Sequence, residues 1–170
     1  MILGMSTSAF TLLHVALSLV GILAGFVVVA GMFGSKTVNG WTAIFLATTV
    51  LTSVTGFLFP VDKVLPSHIV GGVSLVVLII AIGAFYGAHL AGSWRWIYAV
   101  AAVIALYLNV FVLVAQAFLK VGFLNALAPT GSEPAFIIAQ VIVLIIFIAL
   151  GFKAVRSFHP ESSPVALRPA

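Results

Sequence analysis

The stretch PSHIVGGVSLVVLIIAIGAFYGAHL, Pro66–Leu90, decides the class of this protein. It contains no Asp, Glu, Lys or Arg. The hydrocarbon core of a bilayer is about 30 Å thick, and a helix rising 1.5 Å per residue crosses it with about 20 apolar residues. The stretch therefore reads as a membrane-spanning helix. Pro66 suits its first turn, where a missing N–H breaks no hydrogen bond. His68 lies near one end and His89 near the other.

Four more stretches share this character, at about 9–33, 41–59, 94–121 and 134–156. Lipid offers no partner for free backbone groups, so spanning segments must be helices or closed barrels. These runs are continuously apolar, whereas barrel strands alternate. The expected fold is an all-α integral membrane protein, a five-transmembrane-helix bundle over residues 1–157. A polar tail, 158–170, rich in proline and serine, is expected to be disordered.

Composition agrees. The chain is 64% hydrophobic and 6% charged, against about 25% charged in soluble domains. The net charge of +4 comes from seven scattered basic residues, which form no patch for nucleic acid. The absence of cysteine excludes disulfides, thiolate catalysis, iron–sulfur clusters and cysteine-based zinc sites. The first stretch lacks a basic leader and runs well past the usual 7–15 residues of a signal-peptide core. It reads as an uncleaved first helix, with Met5 as a second possible start.

Loop charges suggest an orientation. With alternating helices, Lys36, Arg95, Lys153, Arg156 and Arg168 fall on one side, and Lys63 and Lys120 on the other with Asp62 and Glu133. The positive-inside rule makes the first side cytoplasmic, so the N-terminus is outside and the C-terminus inside. Trp41, Trp94, Trp96 and Tyr98 would form an aromatic belt at the cytoplasmic boundary. The localisation expected is a bacterial-type inner membrane. In the longest loop, Ser132 is the expected N-cap of the last helix, with Glu133 at its positive end.

Helices in lipid associate where small residues let backbones approach. His14, Ser18, Gly21 and Gly25 share a face of the first span, and Gly21–Gly25 is a GxxxG step. Gly72, Gly83 and Gly87 do the same in the third, with Gly83–Gly87 again GxxxG. Thr48, Thr52, Thr55 and Gly56 give the second span a hydroxyl-rich face. Ala102, Ala105, Asn109 and Gln116 line one side of the fourth, and Ala135, Ala139 and Gln140 mark the fifth.

Polar residues inside a membrane are costly and point to function. With the N-terminus outside, His14, His68, Gln116 and Gln140 converge in the outer half of the bundle, with Asn109 near mid-membrane. His89 lies 21 residues from His68, about 31 Å along a continuous helix. Two histidines on different helices at one membrane face resemble the ligand arrangement of small four-helix membrane cytochromes of the cytochrome b561 kind. That resemblance covers only His14 and His68. It implies a b-type haem held between them, since neutral imidazole is the required ligand.

The same residues also suit a quinone or other small ligand, with His, Gln and Thr facing a carbonyl. They also suit plain interhelical hydrogen bonding. A zinc site from His14, His68, Asp62 and Glu133 has no supporting HxxxH or HExxH spacing. No hydrolase or nucleotide-binding motif is present, and no intramembrane carboxylate pair. The leading expectation is a binding or accessory membrane module whose polar outer site comprises His14, His68, Gln116, Gln140 and Asn109. Alternatives are a redox protein holding haem or quinone, and a structural subunit associating through its GxxxG faces. Beyond the lipid bilayer, the expected partners are copies of itself or a larger membrane complex.

Overall fold

Residues 2–60 and 66–160 are described by a computed structural model. The chain folds into α1 (Thr7–Phe33), α2 (Asn39–Gly56), α3 (Pro66–Ile82), α4 (Trp94–Lys120), a short α5 (Gly122–Leu127) and α6 (Pro134–Ser157). A π-helical turn, Gly83–Gly87, extends α3. Among the described residues there is no strand, only an isolated bridge between Ile2 and Met5. Four helical segments are long and apolar enough to cross a membrane: Thr7–Phe33, Ser67–Gly87, Trp94–Lys120 and Pro134–Ser157. The chain thus has the features of a multi-pass membrane protein.

Helix α2, at 18 residues, is not among those four. Its hydroxyl residues explain this. Thr42, Thr49, Thr52, Ser53 and Thr55 are all buried, so they lower the apolar content of the helix while facing the interior. Phe45 and Leu46 share that buried surface.

Helices α1, α2, α3 and α4 form a closed ring, each packed on the next, with α4 returning to α1. Helix α6 lies outside the ring against α4 and α1. The alanines of α4, Ala99, Ala101, Ala102 and Ala105, are buried and let its neighbours approach closely. Gly21 and Gly25 of α1 face this junction. A Cβ on Gly25 would stand 2.6 Å from Leu106 and 2.9 Å from Phe45. One on Gly21 would stand 3.0 Å from the Thr48 hydroxyl and 3.1 Å from that of Thr49. By contrast, a Cβ on Gly72, Gly83 or Gly87 would meet nothing within 4 Å. Among the described residues, these three glycines thus face open space where a side chain would begin.

The helix ends follow local chemistry. The Ser6 hydroxyl accepts from Ala9 N–H and caps α1. Ser35 stops the helix in a left-handed conformation, φ 55°. Ser35 N–H donates to Met32 O and Lys36 N–H to Gly31 O, the paired bonds of a Schellman motif. The apolar stretch ending at Leu90 leaves the helix earlier than its composition suggests. Ala88 N–H closes the π turn onto Gly83 O, and His89 and Leu90 take left-handed φ values of 50° and 59°. His89 therefore lies beyond the helix. The loop before α6 also differs from expectation. Glu133, not Ser132, occupies the N-cap. Its carboxylate instead accepts from Thr130 N–H, the Thr130 hydroxyl and Ser132 N–H.

One end of the bundle is closed by the chain after α6. Phe158 is 1% exposed and packs on the Tyr98 ring at 6.0 Å. Arg95 donates to Phe158 O at 2.8 Å, and His159 N–H donates to the Ser35 hydroxyl at 2.8 Å. Residues 158–160 are thus ordered against the bundle, while 161–170, including Arg168, lie outside the described residues. Trp41, Trp94 and Trp96 at this end are exposed, but Tyr98 is 1% exposed. Its hydroxyl pairs with Thr42 at 3.3 Å, which removes it from the aromatic belt and makes it core. The loop 61–65, with Asp62 and Lys63, lies outside the described residues.

Candidate functional site

Away from the Phe158 end, the ring encloses a space that its side chains do not fill. A cavity of about 90 Å³ lies among α1, α2, α3 and α4, bordered by His14, Thr52, Ser53, His68, Ser74 and Asn109. Each comes from a local sequence feature already noted. His14 lies two turns into α1, on the face that continues to Gly21. Thr52 and Ser53 belong to the hydroxyl face of α2. His68 follows Pro66 at the start of α3. Asn109 projects from the alanine face of α4.

Helix α2 supplies hydroxyls to the three other helices of the ring. The Thr55 hydroxyl lies 2.8 Å from His14 Nδ1. The Ser53 hydroxyl donates to that of Ser74 at 3.2 Å. Asn109 Nδ2 donates to the Thr49 hydroxyl at 3.3 Å. A fourth pair, Thr42 with Tyr98, repeats the pattern toward the opposite end.

A threonine hydroxyl carries one hydrogen. The Thr55 hydroxyl has Leu51 O at 2.7 Å and Thr52 O at 3.2 Å as well as His14 Nδ1 within reach. When it donates to a carbonyl it accepts from His14 Nδ1–H, and neutral imidazole then has Nε2 as its acceptor. The ring is held further by the edge of Phe59 at 5.3 Å. The His68 ring lies 5.5 Å from that of Phe57, and Phe57 also borders the cavity.

One group in the cavity wall stands out. The Thr52 hydroxyl oxygen is buried and has no hydrogen-bond partner among the described residues. Leaving such a group unpaired costs about 1–3 kcal/mol. Among the described residues no Asp, Glu, Lys or Arg lines the cavity, and those that do line it offer neutral donors and acceptors.

The five residues expected to form the polar site separate. His14, His68 and Asn109 share the cavity. Gln116 is exposed on α4 and does not border it. Gln140 is buried between helices, where its Nε2 donates to Phe111 O at 3.0 Å and its Oε1 has no partner among the described residues. Helix α6 lies outside the ring, and this is why its glutamine cannot reach the cavity. Sequence reading missed Ser53 and Ser74. Their signal is faint, a small hydroxyl in each of two adjacent spans, and only the packing shows that they meet.

A haem test is direct. His14 and His68 do border one space, but at about 90 Å³ it is well below the roughly 300 Å³ at which ligand pockets begin. The His14 ring is also fixed through Nδ1 and by Phe59. A porphyrin does not fit between the two residues as they stand. Among the described residues no three His, Asp or Glu side chains gather to hold a metal ion. No family model, curated protein or solved structure matches the chain.

Proposed function

We propose that this chain is a five-span protein of a bacterial-type cytoplasmic membrane, with its N-terminus outside, that binds a small neutral hydrogen-bonding molecule in the ring cavity. The observation that carries the binding reading is the unpaired, buried Thr52 hydroxyl in a cavity that also presents His14, His68 and Asn109. At about 30 Å³ per water, the space suits roughly three waters or one solute of a few heavy atoms. A fifth span is supported by the burial of α2 within the ring. Its 18 residues give about 27 Å at 1.5 Å per residue, close to the hydrocarbon thickness.

The orientation is supported by contacts that draw basic residues to one end. Arg95 reaches Phe158 O, and Lys153 stands over the Phe33 ring at 4.5 Å. The cavity then opens toward the outer leaflet. A reporter fused after Ala170 tests this: cytoplasmic activity is expected, and periplasmic activity would reverse every placement made from it.

Binding is tested by thermal unfolding of the detergent-purified protein with acetamide, glycerol or imidazole. A ligand binding only the folded state stabilises it by RT ln(1 + [L]/Kd). Wild type is expected to shift upward with at least one probe, and His68→Ala and Thr52→Val to lose that shift. Equal responses in all three proteins would reject the cavity as the site. A second reading, association with a partner through α3, is favoured by the open space around Gly83 and Gly87. Crosslinking from that face in the membrane distinguishes it.

A further inference from the structure

A second space lies on the outer side of the ring, in the groove between α4 and α6. It measures about 400 Å³ and is lined by apolar side chains, among them Val103, Ile104 and Tyr107 of α4 and Leu144, Phe147 and Phe152 of α6. Its floor is set by Gly151, where a Cβ would lie 3.5 Å from Val103. The lack of a side chain there keeps the two helices from filling the groove between them.

The length of the groove matches half a membrane. Its α6 wall runs from Leu144 to Val155, whose Cα atoms are 11 steps apart, about 16 Å at 1.5 Å per residue. Half of a 30 Å hydrocarbon core is about 15 Å. The Val155 end is the basic end of the bundle. There the Arg156 guanidinium stacks on the ring of Phe152, 4.0 Å from its centroid, and Phe152 is itself a groove wall. Stacking holds the cation at the groove mouth. No salt bridge neutralises Arg156 among the described residues, and no carboxylate lies in α6 after Glu133 up to Pro160.

We infer that this groove holds one acyl chain of an anionic phospholipid from the adjacent leaflet, with its phosphate on Arg156. The apolar lining selects a hydrocarbon chain, the 16 Å length fits one leaflet, and the guanidinium at the mouth, with no ion pair among the described residues, selects negative charge. The site is separate from the polar cavity, which lies inside the ring near the opposite end, and neither reading depends on the other.

The test uses the full chain purified in detergent from membranes containing phosphatidylglycerol and a zwitterionic lipid, with retained lipid identified by native mass spectrometry. A surface arginine contributes about 1 kcal/mol toward anionic lipid, so about fivefold enrichment of phosphatidylglycerol over its membrane fraction is expected for wild type. Arg156→Gln should abolish the enrichment while lipid is still retained. Gly151→Leu, which adds atoms into the groove, should lower retention of both lipids by severalfold. Arg156 is exposed and its variant should fold, so the headgroup arm stands even if Gly151→Leu fails to fold. Equal phosphatidylglycerol fractions in wild type and Arg156→Gln would overturn the proposal. So would a wild-type dimer without lipid that Gly151→Leu converts to monomer, since the groove would then belong to a second copy.

Discussion

Ser35 shows how one residue can serve two needs that conflict. Its position ends α1 in the left-handed region, φ 55°, where glycine is free of strain and other residues lose roughly 1 kcal/mol. Its hydroxyl also receives His159 N–H at 2.8 Å. Ser35→Ala should therefore lose the bond and keep the strain, whereas Ser35→Gly loses the bond and relieves the strain. We expect Ser35→Gly to be more stable than Ser35→Ala by about 1 kcal/mol, read as the difference in unfolding free energy in detergent.

Glu133 is a second residue with an outcome that can be measured. Desolvation, the largest single influence, raises its pKa. The hydrogen bonds from Thr130 N–H, the Thr130 hydroxyl and the backbone of Glu133 and Ser132 act together against it and hold the group below its ordinary 4.5. A depressed carboxylate pKa stabilises the fold above the unfolded value, and the effect disappears as pH falls through the folded value. Wild type should thus lose stability relative to Glu133→Gln when pH falls through and below 4.5, with no change in that difference between pH 6 and 8. Melting temperatures across that range decide it.

At the scale of the element, α2 is the hub of the ring although it is the least membrane-like of the long helices. Its hydroxyls reach α1, α3 and α4, so the polarity that weakens it as a hydrophobic segment is what ties it in place. Its composition was legible in the sequence, and Thr48, Thr52 and Thr55 could be placed on one face. Which helix each would meet was not, because that depends on the order of helices around the ring. The glycines make the same point. By spacing, Gly21–Gly25 and Gly83–Gly87 are equivalent GxxxG steps, yet only the first is tightly enclosed. Gly25→Ala should destabilise by about 1–3 kcal/mol through overpacking against Leu106 and Phe45. Gly72→Ala, with open space around it, should stabilise by up to about 1 kcal/mol through helix propensity. Paired unfolding measurements would distinguish enclosed glycines from open ones, and equal effects would contradict the geometry.

At the scale of the molecule, the ring has a sealed end and an open end. Phe158 seals the first, 1% exposed, with Tyr98 and Arg95 holding it. Phe158→Ala should cost about 3–5 kcal/mol and raise proteolysis near Ser157, as assayed by limited digestion in detergent. The opposite end keeps the polar cavity, where His14 is fixed by Thr55 and the Thr52 hydroxyl is left unpaired. The placing of His14 and His68 in one space was legible, because each lies near the same end of its apolar stretch. The placing of Gln116 and Gln140 with them was not. Axial depth can be counted along a sequence, but rotation about the helix axis and position in the bundle depend on contacts.

The sequence by itself determined that this chain folds as apolar helices suited to a membrane, since continuous apolar runs leave backbone groups no other way to be satisfied in lipid. It also determined the approximate axial position of every polar residue, because rise per residue is constant. The tertiary structure alone decided that four helices close into a ring with α6 outside, that Tyr98 and Phe158 are core, and that Thr52, not Gln116 or Gln140, joins His14 and His68 at the cavity. Those outcomes depend on side chains from distant parts of the chain meeting in one geometry, and a one-dimensional pattern does not specify which faces meet.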